Sequence, residues 1–254
     1  MVNAIAHAFL DHDGILAFAH RGGDERWPEN TMAAFQDAID LGYRYIETDA
    51  YCTRDGFLLA FHDPVLDRVT NQSGQVAQLD HAIIRKARVG GTEAIPLLED
   101  VLGTWPDIRV NIDPKTDAAV APLIEVIKRT DALDRICVGS FSGRRIEQIR
   151  SVFDARLCTS MAPWDVARLR FDSFGIPIGA FAASCAQVPM TYGGITIIDG
   201  YFVMAAEARR LQVHAWTIND PDDMTRLIKI GVHGIMTDRP RLLKAVLQEH
   251  GLWR

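Results

Sequence analysis

Short apolar runs alternate along most of this chain with longer segments whose apolar positions recur every three or four residues. Runs of the first kind read as strands buried on both faces, and segments of the second kind as amphipathic helices. Ile15–Ala19 is the first such run. A turn-rich segment, Arg21–Glu29, follows it. Asn30 or Thr31 can then cap a helix that carries Met32, Phe35, Ala38 and Ile39 on one face. Gly42 ends that helix, and Tyr43–Asp49 is the second strand. Strand, helix and strand in this order predict a parallel βαβ unit.

The rhythm breaks after Tyr51. Thr53-Arg54-Asp55-Gly56 is a turn signal, Phe57–Phe61 a short strand, Asp67–Gln78 a polar loop, and Asp80–Arg88 a short helix. A helix over Leu97–Trp105 restores the pattern. Strands are then expected at Arg109–Asp113, Arg135–Gly139, Arg156–Ser160, within Gly179–Val188, at Val213–Ile218 and at Gly234–Met236. Helices are expected between and after them, the last over Arg239–His250. About eight strand-helix alternations predict an α/β fold, a TIM (β/α)8 barrel. One barrel domain would span residues 1–254, with a small polar insertion at about 51–95 after the second strand. No Gly-x-Gly-x-x-Gly follows a strand, which argues against a dinucleotide site.

Composition narrows the function classes. Hydrophobic residues make up 48% and charged residues 24%, as in a folded soluble chain. A net charge of −6 argues against nucleic acid as a partner and against a basic membrane-surface protein. No apolar run approaches the ~20 residues of a membrane span, so no stable membrane insertion is expected. The first 13 residues hold no Lys or Arg, which speaks against a secretory signal. Cys52, Cys137, Cys158 and Cys185 form no Cys-x-x-Cys pair. They read as buried free thiols in a cytoplasmic protein rather than as a zinc cluster.

The polar exceptions to the pattern sit where apolar runs end. His20 and Arg21 follow the first run, Glu47 and Asp49 end the second strand, Asp113 ends the next barrel strand, and Asn219 follows Val213–Ile218. Barrel enzymes build their sites at the C-terminal ends of strands, so these positions mark a candidate active site. Glu47 and Asp49 stand two apart on a strand, which turns both to one face with α-carbons ~6–7 Å apart. Buried carboxylates that converge repel one another. A divalent cation that prefers oxygen ligands, Mg²⁺, Ca²⁺ or Mn²⁺, relieves the repulsion, with Asp113 as a third ligand. The competing reading pairs these acids with Lys115 and Arg21 as structural salt bridges. His20 and His62 can serve as general acid and general base, in either assignment. Arg21 can hold a phosphate through two hydrogen bonds. His214 alternates with Trp216 on a strand and reads as packing.

Several motifs fall in a fixed order. They are His20-Arg21-Gly22, Pro28-Glu29-Asn30-Thr31, Phe35 and Ala38, Ile46-Glu47-Thr48-Asp49, Thr53-Arg54-Asp55-Gly56 and His62-Asp63. Ser140-Phe141, Trp216-Thr217-Ile218-Asn219 and Gly234-Ile235-Met236-Thr237-Asp238-Arg239-Pro240 continue the series. Together they resemble the glycerophosphodiester phosphodiesterases over nearly the whole chain. The resemblance implies a TIM barrel with an insertion after the second strand. It also implies hydrolysis of small-molecule glycerophosphodiesters to glycerol 3-phosphate and an alcohol. It implies one divalent cation, Mg²⁺ or Ca²⁺, held by Glu47, Asp49 and a third acid. Many members carry that acid in a Glu-x-Lys pattern, where this chain has Asp113-Pro114-Lys115, one methylene shorter. Arg21, Lys115 and Trp216 are implied as substrate contacts, and His20 and His62 as the catalytic pair. One alternative is a lysophospholipase D or sphingomyelinase D-like activity on the same scaffold, which needs an apolar patch; Phe57, Leu58, Leu59 and Trp164 are candidates for it, but core packing is the safer reading of them. Another is a non-catalytic phosphate-binding barrel, which the full set of histidines and acids argues against. The sequence does not set the oligomeric state.

Overall fold

A computed structural model of the chain describes residues 7–253. Eight parallel strands form its centre. They are β1 Leu16–His20, β2 Tyr45–Cys52, β3 Arg109–Pro114, β4 Ile136–Val138, β5 Cys158–Thr159, β6 Cys185–Val188, β7 Gln212–Ala215 and β8 Gly234–Thr237. Their spatial order is β5-β4-β3-β2-β1-β8-β7-β6. A parallel bridge from Ser160 to Cys185 joins β5 to β6 and closes the ring. The Met161 N–H donates to the Cys185 carbonyl at 2.9 Å, and the Ser184 N–H to that of Thr159 at 2.8 Å. This is the TIM barrel that the alternation predicts.

The helices after the strands supply the outer layer. All eight positions of β2 are buried, which is why it reads as a mixed run without alternation. The helix after β3, Val120–Arg129, buries Val120, Leu123, Val126 and Ile127 on one stripe. Thr31, Ser142, Asp199 and Asp220 cap their helices through side-chain oxygens, and proline starts the helices at Pro163, Pro221 and Pro240. Thr31 rather than Asn30 is the cap of Met32–Asp40.

The insertion after β2 opens with a strand, Leu58–Ala60, that pairs antiparallel with the end of β2. It is less polar in its interior than its sequence suggests. Tyr51, Leu59, Phe61, Leu66, Val76 and Ile84 form part of a separate apolar cluster beneath a charged surface. The expected helix over Asp80–Arg88 is only His81–Ile84. The expected strand within Gly179–Val188 is confined to β6. A small hairpin, Thr191–Tyr192 with Ile195–Thr196, follows it, and hydrophobic patterning did not predict that hairpin because all four residues are exposed.

Three of the four free cysteines, Cys137, Cys158 and Cys185, come from β4, β5 and β6 and bring their sulfurs within 4.8 Å of one another. They share a core cluster with Phe18, Tyr45 and Met236, so they fill the barrel interior as small apolar groups. His214 is fully buried and neutral, since burial lowers its value to about 3, in keeping with a packing role.

Gly22 shows how tightly β1 is joined to its helix. Its φ is +83, and a Cβ there would lie 2.8 Å from the Ala34 carbonyl carbon and 2.9 Å from the Phe35 nitrogen. Gly22→Ala is expected to cost roughly 1–3 kcal/mol through left-handed strain and overpacking. The measurement is the denaturant midpoint, which should fall, and an unchanged midpoint would contradict this close approach.

Candidate active site

Parallel register brings the strand-end residues together. His20 of β1 is level with Glu47 of β2, and Asp49 of β2 is level with Asp113 of β3. Glu47 and Asp49 face one side of their strand, as their spacing requires. His62 comes from the insertion and Trp216 from the segment after β7. His20, Arg21, Glu47, Asp49, His62, Asp113, Lys115 and Trp216 line one cavity of about 810 Å³, whereas Asn219, also singled out by sequence, does not line it.

The floor of the cavity is crowded with negative charge. Asp49 is buried, with Lys115 Nζ at 2.7 Å from Oδ1 and Arg21 Nε at 3.0 Å from Oδ2. Lys115 also reaches Asp113 Oδ2 at 2.9 Å. The salt-bridge reading therefore holds for Asp49 and one oxygen of Asp113. It does not account for Asp113 Oδ1, which is buried without a partner. Nor does it account for Glu47, whose Oε2 accepts the Arg21 backbone N–H at 3.2 Å and lies 3.6 Å from His20 Nε2. Burial and the Asp49 charge push Glu47 up to about 7. Burial also raises Asp113 despite Lys115. Burial opposes ionisation of Asp49 too, but Lys115 and Arg21 outweigh it and hold its carboxyl below the usual range.

Each candidate histidine is held by a carboxylate on Nδ1, which leaves Nε2 as its free nitrogen. His20 Nδ1 lies 2.5 Å from Asp238 Oδ1. Burial alone would lower His20, but Glu47 and Asp238 overcome it and raise it. The Asn219 amide donates to Asp238 Oδ2 at 2.7 Å, and Asn219 Oδ1 accepts from the Asp238 backbone N–H at 2.9 Å. His62 Nδ1 lies 2.5 Å from Asp63 Oδ1. Asp63 in turn takes Arg68 Nε at 2.5 Å, Arg68 reaches Glu29 Oε1 at 2.6 Å, and Glu29 reaches Arg21 Nη1 at 3.0 Å. One chain of ion pairs thus links His62 to the guanidinium of Arg21.

Sequence reasoning quoted Asp63, Asp238, Glu29 and Asn30 only as parts of motifs and missed Arg68. Asp238 lies 218 positions from His20, and only closure of the ring, which sets β8 beside β1, brings them together. Pro28-Glu29-Asn30-Thr31 now has separate local roles. Glu29 fixes Arg21, Thr31 caps the helix, and Asn30 adopts a φ of 55 that lets its amide donate to Asp49 Oδ2 at 3.3 Å while Oδ1 accepts from Thr48 at 2.7 Å.

The far wall of the cavity is apolar, but it is not made by Phe57, Leu58, Leu59 and Trp164, and the core-packing reading holds for Leu58 and Leu59. Leu58 and Leu59 are buried in core clusters, and Phe57 stacks on His81 at 4.6 Å. Trp164 is exposed and does not line the cavity. The apolar wall comes instead from the segments after β5 and β6.

Comparison with known proteins agrees with this geometry. The sequence profile described as the glycerophosphoryl diester phosphodiesterase family matches residues 20–242. The chain is 41% identical over 259 residues to a Mycobacterium tuberculosis protein named probable glycerophosphodiester phosphodiesterase 2, covering 96% of this chain and 95% of that one. It is 30% identical to a glycerophosphodiester phosphodiesterase of Caldanaerobacter subterraneus, covering 93% of this chain and 99% of that one. The fold matches an Oleispira antarctica phosphodiesterase solved in complex with the product sn-glycerol-3-phosphate, with a TM-score of 0.77 and 21% identity over 92% of this chain and 97% of that one.

Glu47 gives the site a pH signature. Its folded value of about 7 lies above its ordinary 4.5, so without a cation the folded chain keeps a proton that the unfolded chain has released. Stability should then fall as pH rises through that window, on the order of 2–3 kcal/mol, and the raised His20 acts in the same direction. Urea midpoints measured in chelator between about pH 5 and pH 8 should fall more steeply for wild type than for Glu47→Gln. Saturating Ca²⁺ or Mg²⁺ should flatten the wild-type slope, and parallel slopes throughout would contradict the role given to Glu47.

Proposed function

This chain is a member of the glycerophosphoryl diester phosphodiesterase family, and from that premise we propose that it hydrolyses glycerophosphodiesters to glycerol 3-phosphate and the free alcohol. The observation that carries the proposal is two carboxylate-anchored histidines in one cavity with a buried set of oxygen donors and two cations. In the reaction water adds across the bond between phosphorus and the alcohol oxygen. Its hydroxyl ends on phosphorus and its proton ends on the departing alcohol.

The acidic residues suit a hard divalent cation, Mg²⁺ or Ca²⁺, and the same donors accept Mn²⁺. Every donor is an oxygen, Asp113 Oδ1 is buried without a partner, and among the described residues no Lys or Arg side chain forms an ion pair with Glu47. Glu47, Asp49 and Asp113 would hold the ion. Once bound, it would supply the positive charge that allows a phosphodiester anion to approach these acids.

The chain's own residues divide the remaining work. Arg21 and Lys115 offer positive charge to the non-bridging oxygens, and both are held in place by acids that fix their direction. Trp216, with Phe141 edge-on at 5.8 Å, forms a wall for the substrate body. His20 sits between Asp238 and Glu47, which favour its protonated form, so it donates to the leaving alkoxide. His62 takes the proton from the attacking water. Four buried free cysteines support a reducing compartment, the cytoplasm, as the place of action.

The leaving group separates the two histidines. On a diester with a choline leaving group, His20→Ala and His62→Ala are each expected to lose about 10²–10⁴-fold in kcat. On a p-nitrophenyl diester, whose leaving group departs unprotonated, His20→Ala should recover most of that loss and His62→Ala should not. Equal losses of His20→Ala on both substrates would contradict its role as the acid, and wild-type turnover of both variants would remove the histidines from the mechanism.

A further inference from the structure

The junction of β5 and β6 is the most sparsely paired part of the ring. β5 pairs with β4 at Cys137–Cys158 and Val138–Thr159, and it meets β6 in the single bridge from Ser160 to Cys185. Three thiols gather at this seam. Cys137, Cys158 and Cys185, one from each strand, place their sulfurs within 4.8 Å of one another. The sulfurs of Cys137 and Cys185 are 3.9 Å apart. All three side chains are buried, and none of them lines the catalytic cavity, so the proposed hydrolysis makes no use of them.

An atom bonded to three sulfurs at ~2.3 Å holds them roughly 3.5–4 Å apart, so the cluster needs only a small contraction to close on one. The surroundings decide which atom fits. Phe9, Leu16, Phe18, Tyr45 and Met236 pack in the same cluster, and an uncompensated charge among them would be expensive. Among the described residues no fourth His, Cys, Asp or Glu joins the three thiols, whereas zinc almost always takes four ligands. Three thiolates would leave one net negative charge buried around Zn²⁺ and two around Cu⁺. Around a trivalent thiophilic atom the charges cancel.

We propose that Cys137, Cys158 and Cys185 form a binding site for a trivalent thiophilic metalloid, arsenite or antimonite, inside the barrel. The free ligand is the neutral trihydroxide. On binding, three S–H bonds and three bonds from the metalloid to oxygen break, and three bonds to sulfur form. Each thiol proton leaves with a hydroxide as water. No electron is transferred, and neither the reactants nor the complex carries charge. The approach is short. Ser160 and Gln187 follow Cys158 and Cys185 by two positions, so they point to the same interior, and both line the catalytic cavity. The bound atom would tie β4, β5 and β6 together where the ring has fewest ladder bonds. The inference does not depend on the hydrolase reading.

The test titrates the reduced, folded chain with sodium arsenite and then desalts it. One arsenic per chain should be retained, its X-ray absorption should show three sulfur neighbours, and the urea midpoint should rise above that of the arsenite-free protein. Removing one cluster thiol should weaken retention by about 10²–10⁴-fold, because the third bond closes within a chelate already formed. That loss is read in whichever of Cys137→Ala, Cys158→Ala and Cys185→Ala keeps the wild-type circular dichroism. Cys52→Ala, whose thiol lies in a different core cluster, should bind as wild type does. No arsenic on the folded wild type, three-sulfur coordination that survives removal of a cluster thiol, or retention of Zn²⁺ in preference to arsenite would overturn the assignment.

Discussion

The repulsion among buried carboxylates at one end of the barrel is the constraint on which the rest of the site depends. Glu47, Asp49 and Asp113 are brought together by the register of β1, β2 and β3, and a parallel barrel cannot separate them without losing that register. Lys115 and Arg21 discharge Asp49 and half of Asp113. What is left over falls on Glu47, which resists ionising until about pH 7, and on the unpartnered oxygen of Asp113. Such a residue of uncompensated charge destabilises a fold unless a ligand relieves it, and here it faces a cavity able to admit a cation and a phosphate.

The same charges organise the groups around them. Arg21 is not a free phosphate hook, because it spans Glu29 and Asp49 and is tied through Arg68 and Asp63 to His62. His20 is fixed from the opposite side by Asp238, which Asn219 orients across the seam between β7 and β8. The two imidazoles are therefore positioned by independent acid partners, one from the last strand of the barrel and one from the insertion. In the proposed mechanism they take separate roles in proton transfer. The apolar half of the cavity is framed instead by the Arg170–Asp199 pair, with Arg170 over the Phe174 ring, and by the hairpin base.

The barrel and the end of it that carries the candidate site were legible in the sequence because polar residues that end apolar runs stand out against the pattern. Glu47 and Asp49 also declare their common face through their spacing alone. Their partners were not legible in the same way. The bond between His20 and Asp238 depends on which strand closes the ring, and that follows only from assembling all eight. The roles of Glu29 and Asn30 depend on left-handed backbone at Arg21 and Asn30; asparagine tolerates that region better than most residues, but local propensity does not predict it at Arg21. The helix Pro163–Asp172 misleads in a further way. Its apolar face has the spacing of a core stripe, but that face meets the cavity instead of the barrel wall, and periodicity cannot tell the two apart. Cys137, Cys158 and Cys185 likewise meet from three strands with no sequence spacing to announce it.

Cation binding and proton release, measured together, test the central claim most directly. Titration calorimetry of the cation-stripped protein with Ca²⁺ or Mg²⁺ in buffers of different ionisation enthalpy counts the protons expelled. At about pH 6 the account predicts one ion per chain and release of about one proton, since Glu47 must ionise to bind, with the release fading by about pH 8.5. Asp113→Asn should weaken binding, and Glu47→Gln should weaken it and abolish the release. No binding, or binding that neither substitution alters, would contradict the claim that these buried carboxylates are assembled to hold a cation.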